Sequence, residues 1–167
     1  MTRLKDMTPE GVATEVVRLL GERMSMLEEA LSLESVGIDP DDWELTKAGR
    51  VVQRLTAYAQ TGQAIEISGM DVDAATASGL VLSLWCSFGA VVPDSAGQIA
   101  TVIDAARCRA ALDRGEVVTS RDLAALGSVS KESMRTMCSR GNGPESLRGL
   151  VEHADAVEWL AGRGVGW

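Results

Sequence analysis

The sequence predicts an all-α fold with at most a small β wing, arranged as an N-terminal helical bundle over residues 1–117 and a compact helical unit over residues 118–167. Apolar residues recur at three- and four-residue spacing through successive segments, and Gly, Pro, Asp, Ser and Thr punctuate them as caps and stops. A stretch that could form strand before residue 118, Ala64 to Ile67, is only four residues long. With 46% hydrophobic residues in 167, the chain can bury one globular core or two small ones packed together.

Thr8-Pro9-Glu10 reads as an N-cap followed by proline at the first helical position. Val12, Val16, Leu19, Leu20, Leu27 and Leu31 then mark a helix from about Pro9 to Leu33, ended by Gly37. Asp39-Pro40-Asp41 begins a second in the same manner, with Trp43, Ala48, Val51, Val52, Leu55 and Tyr58 inward and Lys47, Arg50 and Arg54 toward water, up to Gly62. Asp71 or Asp73 caps a third helix within Ala74 to Pro93, a stretch without a charge. That stretch has the length of a membrane span, but its serines, threonine and glycines, its terminal proline and the absence of flanking Lys/Arg favour a buried helix or a subunit interface. Asp94-Ser95 caps a fourth helix that buries Ile99, Val102, Ile103, Ala106 and Ala110, turns Arg107, Arg109 and Arg114 to solvent, and stops at Gly115.

Charge and cysteine content narrow the function. The 16 basic and 24 acidic side chains give a net charge of -8, which argues against a generally basic nucleic-acid coat protein. The excess acid is confined to residues 1–117, which hold 10 basic and 18 acidic residues; residues 118–167 hold 6 of each. Cys86, Cys108 and Cys138 form neither a paired framework nor a zinc knuckle and fit reduced thiols in a cytoplasm. MTRLKDMTPEG lacks the apolar stretch of a secretory signal. Asp39, Asp41 and Asp42 fail as a calcium loop, with Glu44 where glycine is needed and Arg50 where the closing glutamate is needed. Gly162, Gly164 and Gly166 have no following helix to receive a phosphate, and His153 has no second ligand beside it. No metal, cofactor or catalytic role is expected.

Residues 118–140, VTSRDLAALGSVSKESMRTMCSR, carry the functional signal. Thr119 with Asp122 three positions on is a capping box with Asp for Glu, and Val118 can staple onto Leu123, giving a short helix Ser120 to Leu126. Gly127-Ser128-Val129 makes a turn. Ser130 caps a second helix running to about Ser139, with Val129 able to staple onto Met134. This spacing is that of a helix-turn-helix, with Leu123, Ala124, Met134 and Met137 as its buried positions.

Together with Gly141 to Leu150 and the Trp159-Leu160 pair in Val151 to Arg163, the unit resembles the winged helix-turn-helix domains of the MerR and excisionase type, and a set of bacterial proteins described only as DNA-binding. The resemblance covers about 50 residues. It implies sequence-specific binding of double-stranded DNA by a bacterial transcriptional regulator. One departure stands out: Ser128 occupies the place where the turn most often holds glycine, and Gly127 lies one residue earlier, so either the turn shifts or serine takes a strained conformation.

A helix in the major groove needs small or polar side chains on its outer face, and Ser130, Lys131, Ser133, Arg135 and Thr136 supply them. Arg121, Arg140 and Arg148 flank the unit as phosphate contacts. A homodimer is expected, joined through the N-terminal helices and best through the uncharged third helix. The competing reading is a non-catalytic interaction module, an antitoxin or adaptor, whose acidic N-terminal region meets a basic partner.

Overall fold

The computed structural model describes residues 3–31, 37, 39–63, 71–86 and 94–166. It is mostly helical, with one two-stranded sheet among the described residues. After a 3₁₀ turn at Leu4–Asp6 come α1 (Pro9–Leu31), a 3₁₀ segment (Pro40–Leu45), α2 (Lys47–Thr61), α3 (Val72–Cys86) and α4 (Asp94–Asp113). Then follow β1 (Val118–Thr119), α5 (Ser120–Leu126), α6 (Lys131–Ser139), β2 (Leu150–Val151) and α7 (His153–Ala161). The four-residue stretch at 64–67 that could form strand, and the terminal proline of the uncharged stretch at 93, lie outside the described residues.

The caps explain most boundaries. The Thr8 hydroxyl accepts from Gly11 N–H at 3.2 Å to start α1. Asp71 Oδ1, rather than Asp73, accepts from Ala74 N–H at 2.7 Å to start α3. Along α1 the stripe Val12, Val16 and Leu19 is fully buried, but Leu31, expected in that stripe, is 65% exposed.

The second predicted helix is two elements. Asp39 caps only the 3₁₀ segment, its carboxylate accepting from Asp41 N–H at 2.9 Å. Thr46 then starts α2, its hydroxyl donating to Trp43 O and accepting from Gly49 N–H. The break leaves Trp43 and Ala48 only half-buried, while Val51, Val52, Leu55 and Tyr58 enter the core as expected.

α4 runs through the centre, packed on α2, α3 and α5. It corrects one expectation: Arg109 is 1% exposed rather than solvated. Its Nε donates to Ala59 O and its Nη1 to Gly166 O, each at 3.2 Å, while Tyr58 beside it donates its hydroxyl to Asp113. One buried apolar cluster extends without interruption from Val16, Leu55 and Ile99 to Leu123, Met134 and Leu160. No helix of the described residues is long and apolar enough to cross a membrane.

Burial sets an alkaline limit on this core. Burial pushes the Cys108 thiol well above its usual range, and burial with the hydrogen bond to Asp113 does the same to the Tyr58 phenol. Both groups keep their protons longer in the folded chain than in the unfolded one. Their contribution is therefore complete below the unfolded pKa values, about 8.5 for Cys and about 10 for Tyr, and falls as pH rises above them. Urea midpoints are expected to hold from about pH 7 to 8.5 and to decline by about pH 10.5, less steeply in Cys108→Ala. A profile unchanged across that range would contradict this account.

Candidate nucleic-acid interface

The helix-turn-helix forms at the predicted residues. Thr119 Oγ1 accepts from Asp122 N–H at 3.1 Å, and Ser130 Oγ accepts from Ser133 N–H at 3.0 Å, so both caps are in place. The reciprocal half of the expected capping box is replaced. The Asp122 carboxylate turns to α4, where Arg107 grips it with Nε at 3.1 Å and Nη2 at 2.6 Å. These hydrogen bonds hold the Arg107 guanidinium above its ordinary pKa. Arg121 on α5 in turn donates to Asp104 on α4 at 3.0 Å, and Asp104 and Asp122 are both buried.

The turn keeps its expected position, and Ser128 takes the strain. Four helix ends close with the same pair of backbone bonds, from the left-handed residue to the carbonyl three back and from its successor to the carbonyl five back. Gly115, Gly141 and Gly164 hold that left-handed position after α4, α6 and α7, whereas Ser128 (φ +55°) holds it after α5. Gly127 is needed for another reason: a Cβ there would sit 2.4 Å from the Trp159 ring. That ring is itself covered by the Arg163 guanidinium, 4.4 Å from its centroid.

Opposite effects are thus expected from adjacent substitutions. Ser128→Gly should raise stability by about 1 kcal/mol by relieving the left-handed serine. Gly127→Ala should lower it by about 1–3 kcal/mol through overpacking, a loss that largely disappears when Trp159 is also replaced by Leu. Chemical denaturation of the four variants checks this; an equal loss for Gly127→Ala in both backgrounds would exclude the ring contact as its cause.

The wing is small. β1 and β2 pair antiparallel, Val118 opposite Val151 and Thr119 opposite Leu150. Leu147 and Leu150 exchange two backbone hydrogen bonds across Arg148 (φ +54°) and Gly149 (φ +81°), the dihedral pattern of a type I′ turn. Arg148 therefore stands exposed at the tip.

On α6, Met134 is buried and Met137 and Cys138 are half-buried, which leaves a continuous arc of exposed side chains. At about 100° per residue the arc runs Lys131, Arg135, Ser139, Glu132, Thr136, Arg140, Ser133. Ser130 lies at its margin, with its hydroxyl 2.9 Å from that of Ser133. Thr136 and Ser139 also bond backward, to Glu132 O and Thr136 O. A groove of about 510 Å³ separates α6 from the wing, and Ser120, Arg121, Lys131, Arg135, Ser139 and Gly149 line it without any carboxylate. Arg140 and Arg148 remain exposed outside this groove.

Glu132 is an opposing charge among these cations, yet it lies near the middle of the arc, where a carboxylate can accept from cytosine N4. His153 is the first residue of α7, and the N-cap before it, Glu152, makes no side-chain capping bond. Among the described residues no group of His, Cys, Asp and Glu is placed to hold a metal ion. Compared with protein-family models, curated proteins and solved structures, the chain matches none.

Proposed function

We propose that this chain is a sequence-specific DNA-binding protein, a bacterial cytoplasmic transcriptional regulator that reads the major groove of double-stranded DNA with α6. The observation that carries this reading is the uncovered polar arc of α6 beside a carboxylate-free basic groove, on a chain whose acidic residues outnumber its basic ones by 24 to 16. Basic side chains line this face, where polyphosphate would approach against the long-range repulsion of the net acidic chain. Thr136, Ser133, Glu132 and Ser139 are short or polar enough to meet base edges, while Lys131, Arg135 and Arg121 face the backbone.

A homodimer accompanies this reading. Leu80, Val81 and Leu84 on α3 are 47%, 54% and 58% exposed, an apolar face suited to a second copy. Two reading heads would then meet half-sites about 34 Å apart.

The test is a fluorescence-anisotropy titration of labelled random-sequence duplex across salt, followed by selection of bound sequences from a random pool. Binding should weaken linearly in log salt, and selection should enrich one half-site. Failure to bind duplex even at about 50 mM salt would discard the regulator and leave the interaction-module reading, which the net acidity favours.

A further inference from the structure

The helix-turn-helix has a second basic edge that the local sequence does not contain. Arg3 and Lys5 precede it by more than a hundred residues, but the fold places them beside its turn. The segment is pinned there. Leu4 and Met7 are 3% and 6% exposed, and Gln60 Nε2 donates to Leu4 O at 2.9 Å and to Met7 O at 2.7 Å. With Leu4 and Met7 inward, Arg3 and Lys5 are left exposed.

Arg3 lines a groove of about 300 Å³ with Ser128, Ser130, Ser133 and Arg163, and this runs into a second of about 440 Å³ that adds Lys5. Neither groove is lined by a carboxylate. Arg163 is held in place by stacking on Trp159 and by a bond from its Nη2 to Met137 Sδ at 3.2 Å. The band ends beyond Arg163, where Glu145, Asp155 and Glu158 line the outer side of α7, and Asp6 is the acidic neighbour of Lys5.

The position of this band relative to α6 gives it meaning. Ser133 lies about 160° around the helix from Arg135, so the two basic grooves border opposite edges of the exposed arc. A helix about 10–12 Å across fills a major groove about 12 Å wide and has a phosphate rail along each edge. The wing groove can serve one rail, with Arg121, Lys131 and Arg135. We infer that Arg3, Lys5 and Arg163 form a second phosphate-binding groove that receives the other backbone strand of duplex DNA. This rests on the proposed reading of α6 and adds a contact set to it.

The salt titration tests the inference with the full chain and a random-sequence duplex. Arg3→Ala/Lys5→Ala should lower the slope of log affinity against log salt by about 1.8, and Arg163→Gln by about 0.9. Lys47→Ala/Arg54→Ala removes the same charge from exposed positions on α2 that line neither groove, and should leave the slope unchanged. Urea midpoints matching the wild type establish that each variant is folded. If Arg3→Ala/Lys5→Ala behaves like the α2 control while Arg135→Ala loses slope, the second groove is wrong and the α6 reading stands. If the wild-type chain shows no salt-dependent affinity for duplex, both fall together.

Discussion

Replacing Arg109 with alanine is expected to cost about 3–5 kcal/mol, the range for removing one member of a buried charged network. Its guanidinium satisfies carbonyls from two distant places, Ala59 at the end of α2 and Gly166 beyond α7, and it lies within electrostatic reach of Asp113 and Tyr58. Alanine would leave those carbonyls without their donor, remove one of the cations near Asp113 and Tyr58, and open a cavity where the Arg109 side chain is buried. At roughly 2–4 °C per kcal/mol for a chain of this size, the melting temperature should fall by about 10 °C. Arg109→Met keeps the volume and loses the donors, and should fall between alanine and wild type. A loss below about 1 kcal/mol for the alanine variant would mean that the network contributes little beyond its own desolvation cost.

The largest functional effect is expected from Lys131→Ala/Arg135→Ala/Arg148→Ala. These residues are exposed on α6 and at the wing tip, so the fold should tolerate their loss and urea midpoints should stay near the wild-type value. Each phosphate contact contributes a slope near 0.9, and at about 0.1 M salt the loss of three should weaken duplex binding roughly 10²- to 10³-fold. The variant should lose affinity for all sequences alike, since these contacts hold the backbone. Unchanged affinity in the triple variant would remove α6 from the DNA-facing surface whatever the wild-type chain binds.

Much of this architecture is legible in the sequence where local chemistry decides alone. Thr119 and Ser130 cap their helices because a hydroxyl two or three residues from an orphan N–H needs no tertiary help. For the turn after α5 the sequence allows two options, a shift by one residue or a strained serine. The strained serine is adopted, and Gly127 instead leaves room for the indole of Trp159.

What could not be read depends on partners distant in sequence. Asp122 had a local role available, but Arg107 offers its carboxylate a charged, two-point grip that a backbone N–H cannot match. Arg109 looked like a surface residue because its partners, Ala59 and Gly166, lie some fifty residues away on either side. The Thr46 break was hidden for a different reason: Asp39-Pro40 is an equally good start signal, and only the 3₁₀ geometry after it shows that the helix begins again. The basic edge formed by Arg3 and Lys5 leaves no mark in the local pattern, since it arises only when Gln60 anchors the chain's first turn.

The crossed grips between α4 and α5, Arg107 on Asp122 and Arg121 on Asp104, have a mechanical corollary. They tie α5 to the longer helix at two points and resist a swivel between the two. In the proposed DNA-binding homodimer, a twofold pair of such chains would behave as a calliper with a nearly fixed jaw opening. Inserting a single base pair between half-sites advances one of them by about 3.4 Å and turns it by roughly a tenth of a helical repeat, a misfit that such jaws would absorb by bending the duplex.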